Sequence, residues 1–199
     1  MDSIAHVPES LRREQLLPLR DIAHWTPSIP DNALSLNERF FKEPRRDLFK
    51  YRPLSFFLFG GPNGIYLKNL ARISVWCGRD TSLYGIDFTY NMEIDGQTVH
   101  ALGRSELGVR KIDFQIDGPG GEVIQAVQIY RKYPYGLWSF EIHTNRDRSI
   151  KFPCCGVEGS TPSTHVTVAP SGIITGLYGC FVQGVRIRME SLGVVSEEI

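Results

Sequence analysis

At 199 residues the chain is long enough for one sizeable core and a short appendage, and 22 basic residues against 22 acidic ones leave it without net charge. Neutrality argues against nucleic acid and anionic membrane as partners, because both recruit clustered Lys and Arg. No run approaches the ~20 apolar residues of a membrane span, and Met1-Asp2-Ser3 sets acid where a secretory leader carries base, so a cytoplasmic location is expected. Cys77, Cys154, Cys155 and Cys180 lack paired Cys-x-x-Cys or Cys/His spacing. The expectation is therefore reduced thiols, no metal centre and no cofactor.

Residues 1–52 form the first segment. Pro8, Pro18, Pro27, Pro30 and Pro44 interrupt it too often for one long element. Pro8 suits the start of a short helix through Leu11, Leu16 and Leu17, and Asn37 to Phe49 places Phe40, Phe41, Leu48 and Phe49 at roughly helical spacing. Together with Trp25 these apolar residues are too many for a disordered tail. The segment reads as a partly helical N-terminal arm that packs on the body, residues 53–196.

From Leu54 onward the period changes to two: Ile73-x-Val75, Ile86-x-Phe88-x-Tyr90, Ile112-x-Phe114-x-Ile116, Val127-x-Ile129 and Phe140-x-Ile142-x-Thr144. Such alternation marks strands with one buried face. Turn clusters separate them, among them Gly60-Gly61-Pro62-Asn63-Gly64, Asp95-Gly96 and Asp117-Gly118-Pro119-Gly120-Gly121. The last of these resembles a phosphate cradle, but Glu122 to Tyr130 continues as a strand where a cradle needs a helix. An internal repeat runs through the body: Ile73 to Val127, Leu83 to Leu137 and Asn91 to Asn145 are each 54 residues apart. A weaker third copy lies between Ile173 and Val195. Repetition at this length predicts an all-β body of similar sheet units around a shared core. Three antiparallel Greek-key sheets closed into a β-prism satisfy it, with a two-sheet sandwich as the alternative.

The succession Phe59-Gly-Gly-Pro-Asn-Gly64, Ala71-Arg-Ile-Ser-Val-Trp-Cys-Gly78, Tyr84-Gly-Ile-Asp-Phe-Thr-Tyr90, Gly121-Glu-Val-Ile-Gln-Ala-Val127, Leu137-Trp-Ser-Phe-Glu-Ile-His-Thr-Asn145 and Gly172-Ile-Ile-Thr-Gly-Leu-Tyr-Gly179 resembles jacalin-related lectin domains, including the lectin-like domains of filamentous fungi. The resemblance spans Leu54 to Val195. It implies a β-prism that binds sugar between loops at one end, without covalent chemistry, and that can pair with a second copy. It further implies a site made of a glycine-rich loop, Gly60 and Gly61 here, and a closing Gly-x-x-x-Asp loop. In this chain the closing loop carries Arg186 and Glu190 in the glycine and aspartate places, with Arg188 between them. The tyrosine-rich turn at Tyr133 and Tyr135 borders the same end by resemblance, and aromatic faces stack on sugar C–H surfaces.

The repeat sets Asp87 beside Glu141, Thr89 beside His143 and Asn91 beside Asn145, a surface read as solvent-facing, with Glu141 and His143 on opposite faces and unable to pair. His100 and His165 read as solitary. The ligand is accordingly a glycan or another small molecule. The rival function is a cofactor-independent cyclase or isomerase that reuses the scaffold, its arm folded over a pocket that holds a hydrophobic intermediate.

Overall fold

The structure is a computed structural model that describes residues 18–41, 53–79, 82–132, 136–153, 164–182 and 188–199. The described part of the arm holds one α-helical turn, α1 (Leu19–Ile22), strand β1 (His24–Thr26) and a 3₁₀ turn, Glu38–Phe40. The body carries β2 (Pro53–Phe57), β3 (Leu70–Cys77), β4 (Leu83–Ile94), β5 (Gln97–Gly103), β6 (Arg110–Gln115), β7 (Ile124–Lys132), β8 (Gly136–Thr144), β9 (Ser149–Pro153), β10 (Thr164–Val168), β11 (Ile173–Val182) and β12 (Arg188–Glu197). They form three four-stranded sheets: sheet I in the order β1-β2-β11-β12, sheet II β10-β7-β8-β9 and sheet III β5-β4-β3-β6. Pairing is antiparallel apart from the parallel contact of β1 with β2. In sheets II and III three consecutive strands run as a meander and the fourth returns beside the first, which is the Greek key.

The internal repeat holds at the level of register. Ile73 of β3 faces Phe88 and Phe114, and Val127 of β7 faces Ile142 and Val168. Leu177 of β11 likewise faces Val194 and Phe57. Each of these hairpins slips register twice, at Leu70/Arg72 and Trp76/Cys77, at Ile124/Ala126 and Tyr130/Arg131, and at Ile174/Gly176 and Cys180/Phe181. A bulge at each end bends and twists the hairpin, so three such units curve onto one another. Their inner faces supply one core that includes Phe59, Ile73, Val75, Ile86, Phe88, Val127, Ile129, Phe140, Ile142, Leu177, Leu192 and Val194.

Sheet I is apolar on its outer face as well, where Leu54, Tyr178, Cys180 and Val195 form a second cluster. Residues 18–41 cover it with Leu19, Trp25, Leu34 and Leu36. The Trp25 ring meets Phe56 and Tyr178 edge-on at centroid distances of 6.0 and 5.5 Å. The Tyr178 hydroxyl donates to the Leu36 carbonyl at 2.8 Å, and burial pushes its phenol far above the ordinary range. Gly193 stands opposite Tyr178, and any Cβ there would lie 2.2 Å from the ring. At the far edge Ser35 bridges to Ser196, so the covering segment closes both margins of the sheet.

Two sequence expectations differ from the structure here. The helix over Asn37 to Phe49 is reduced in its described part to one 3₁₀ turn, Glu38–Phe40, because Asn37 takes a left-handed backbone and Phe41 extends to pack 5.0 Å from Tyr178. The surface proposed for Asp87 is not open to solvent, since Asp87 is 8% exposed and its Oδ2 accepts the Trp76 Nε1–H at 2.6 Å. The helix expected behind Pro8 lies outside the described residues, as do Cys154 and Cys155, whereas Cys77 and Cys180 are buried.

The Asp117–Gly121 segment is a turn pinned from beneath. Buried Glu122 accepts the Asp117 N–H at 2.9 Å, the Thr144 hydroxyl at 2.8 Å and the Arg148 guanidinium at 2.8 Å. The Gly120 N–H and the Arg146 guanidinium hold the Asp117 carboxyl below its ordinary range.

Two outcomes are expected. Trp25→Ala, which empties the contact between the covering segment and sheet I, should lower the unfolding free energy by about 3–5 kcal/mol in urea denaturation. A depressed carboxyl contributes stability above its unfolded pKa of about 3.9 and loses it as pH falls through the lower folded value. Asp117→Asn should therefore shift the urea midpoint downward at pH 7, and the gap to the parent protein should narrow as the pH falls below about 3.9.

Candidate functional site

The glycine loop follows β2 directly. The Gly60 N–H donates to the Thr175 carbonyl at 2.7 Å and the Gly60 carbonyl accepts the Tyr66 N–H at 2.7 Å, which fixes both ends of the loop. Between them Gly61, Asn63 and Gly64 have φ of +67°, +52° and +68°. The Asn63 N–H donates to Glu197 Oε1 at 3.0 Å, tying the loop to the last strand. A Cβ on Gly61 would sit 2.3 Å from the Tyr66 ring, so the bare backbone is what lets that ring lie against the loop.

Beside the loop opens a cleft of about 750 Å³, bordered by Gly61, Tyr66, Tyr90, Asp95, Gln97 and His100. It exists because β1 pairs with β2 only as far as Thr26 opposite Ser55, where Pro27 follows without an N–H to continue the ladder. The edge of β2 beyond Ser55 then faces the edge of β5 across the gap. Tyr66 meets Tyr90 edge-on at 6.5 Å. The Tyr90 hydroxyl donates to the Phe59 carbonyl at 2.7 Å, and burial pushes its phenol well up, which keeps it a donor. His100 stacks on Phe57 at 5.5 Å and turns its edge to Tyr90 at 5.9 Å. Its Nε2 lies 2.9 Å from the Ile94 carbonyl, which can only accept. The neutral ring therefore carries its proton on Nε2 and offers Nδ1 as an acceptor.

The residues expected to form a sugar site do not all meet. Gly61 borders the cleft and Gly60 precedes it in the same loop, whereas Glu190 lies beside Ser191, which pairs with Cys180. Thr175 and Cys180 are five residues apart on β11, so the two groups are separated by about 17 Å of strand. Arg188 Nη2 lies 3.6 Å from Glu190 Oε1 at the hairpin end. Tyr133, Tyr135 and Arg186 lie outside the described residues.

The expectation that Glu141 and His143 face apart is corrected. Residues two apart share a face, and His143 Nε2 is 3.9 Å from Glu141 Oε1. Glu141 Oε2 also accepts the Tyr130 hydroxyl at 3.1 Å, and the Lys151 ammonium lies 3.7 Å above the Tyr130 ring. The His165 ring lies 6.1 Å from that of Tyr130. Sheet III repeats the Tyr130–Glu141 pair 54 residues earlier, with Trp76 donating to Asp87, and there Lys111 of the neighbouring strand β6 lies over the indole. Among the described residues no group of three His, Cys, Asp or Glu stands close enough to hold a metal ion, and no helix is long and apolar enough to cross a membrane.

Tyr66, Tyr90, Asp95, His100 and Glu197 were not apparent as site residues in the sequence. Tyr90 and His100 sit in strand alternations and Asp95 in a hairpin turn, and only the gap between two sheet edges assembles them.

No family model matches the chain, and no curated protein matches it in sequence. Solved structures do. A prostate-specific WGA16 glycoprotein lectin superposes with a TM-score of 0.52 at 17% identity, over 73% of this chain and 91% of that one. Lamprey immune protein gives a TM-score of 0.50 at 19% identity, over 72% of this chain and 41% of the other. A mannose-binding jacalin-related lectin from Ananas comosus matches 66% of this chain and 83% of its own length at a TM-score of 0.44 and 18% identity. The fold is a jacalin-like β-prism. At these identities the likeness concerns the fold.

The Gly61–Tyr66 contact is directly testable. Gly61→Ala, with φ of +67° and no room for a Cβ, is expected to cost about 1–3 kcal/mol and to change the near-ultraviolet circular dichroism of the tyrosines. Gly96→Ala, also at positive φ but with nothing within 4 Å of its Cβ, should leave that spectrum unchanged.

Proposed function

We propose that this protein is a lectin-like module that binds carbohydrate reversibly at the glycine-loop end of the prism. The observation that carries the reading is the glycine loop itself, whose left-handed residues bring backbone and the Tyr66 ring together at the mouth of a ligand-sized cleft. The chemistry suits a pyranose. A tyrosine ring covers a C–H face of the sugar, the Asp95 carboxylate accepts hydroxyl protons, the Gln97 amide both donates and accepts, and His100 Nδ1 accepts. Lectins of the same prism fold, the WGA16 glycoprotein lectin among them, support the class of ligand.

The pair Arg188 and Glu190 is a separate polar group at the hairpin end and supplies the control. On a glycan array the parent protein should bind a defined subset of glycans, Asp95→Ala and Tyr66→Ala should weaken binding at least tenfold, and Glu190→Ala should leave it within twofold. Loss with Glu190→Ala alone would move the site to the β11–β12 hairpin, and silence across the array at high protein concentration would refute the reading.

A further inference from the structure

We infer that the cleft selects glycosides bearing an apolar aglycone, aryl or alkyl, over the corresponding free or methylated sugar. The inference rests on the carbohydrate reading of the same site and concerns what that site prefers. Its basis is the uneven distribution of chemistry along the gap. Asp95 and Gln97 border the end where the glycine loop meets the β4–β5 turn, and His100, further along β5, reaches back to that end with its Nε2 at the Ile94 carbonyl. From there β5 runs through Val99 to Ala101, and β2 runs back from Leu58 to Phe56, opposite Pro27. Apart from His100, whose ring stacks on Phe57, that half offers apolar side chains. Val99 is 42% exposed there, a β-branched side chain left uncovered on a strand edge.

Size agrees with this division. At about 750 Å³ the cleft lies within the range of sites for drug-sized molecules and exceeds what one pyranose ring fills. A second sugar placed over Val99, Phe56 and Pro27 would leave hydroxyls facing apolar surface without partners, at a penalty for each. A phenyl or alkyl group gains from covering the same surface. A hexose at the glycine-loop end, with its anomeric substituent directed along β5, meets both demands.

The test is calorimetric titration of the full chain with matched methyl and 4-nitrophenyl glycosides of glucose, galactose, mannose, fucose and N-acetylglucosamine, with 4-nitrophenol as the aglycone control. For any sugar that binds, the nitrophenyl glycoside should bind at least tenfold more tightly than its methyl counterpart. Val99→Asp, a change at an exposed position, should abolish that advantage. Asp95→Ala should weaken both series by the same factor. Equal affinity in the two series overturns the selectivity while leaving carbohydrate binding standing. Binding of 4-nitrophenol as tight as that of its glycosides overturns it too, because the sugar then contributes nothing. Failure of every glycoside removes the carbohydrate reading itself.

Discussion

The structure depends on one constraint: a four-stranded sheet with a single apolar face cannot be stable alone in water. Each unit of this chain buries Ile73 and Phe88, Val127 and Ile142, or Leu177 and Val194 on one side only, and each can shed that surface only against the other two. The paired bulges give the hairpins a common curvature, which is why three of them close where flat sheets would stack as a sandwich. Polar groups beneath the turns support the closure. Glu122 holds the turn before β7, and Glu197 holds the glycine loop, each by accepting a backbone N–H that the ladders leave unpaired.

Sheet I departs from its siblings and thereby creates the cleft. It is assembled from both ends of the chain, and its outer face carries Leu54, Tyr178 and Cys180 where sheets II and III carry Tyr130 with Glu141 and Trp76 with Asp87. A sheet apolar on both faces needs a cover, and residues 18–41 provide it through Trp25, Leu34 and Leu36. The cover includes a strand of only three residues, which ends at Pro27 and leaves the rest of the β2 edge free. The same covering segment thus protects the sheet and sets the length of the gap beside the glycine loop.

Within that gap, aromatic rings are held in place by backbone rather than by one another alone. Tyr90 is anchored through Phe59, His100 through Ile94, and Tyr66 through the absence of a side chain at Gly61. Such anchoring fixes the rings before any ligand arrives, so little ordering entropy remains to be lost on binding.

Much of the body was legible in the sequence, because both of its signals are local. Alternation of period two identified the strands, and the 54-residue spacing identified equivalent hairpins down to their register, Ile73 with Phe88 and Val127 with Ile142. The glycine loop was legible too, since its residue types follow from backbone angles that other residues rarely adopt. The cleft was not. Glu197 meets Asn63 across 134 positions, and His100 meets Phe57 across a gap between two sheets. Glu190, aligned to the loop by resemblance, stands a strand's half-length from it, since neighbours along β11 and β12 are set by pairing and not by motif order. Strand identity, repeat and turn chemistry are carried by residues close in sequence and are therefore written in the sequence. The partners of a side chain at a sheet edge depend on which edges meet, and only the closed prism determines that.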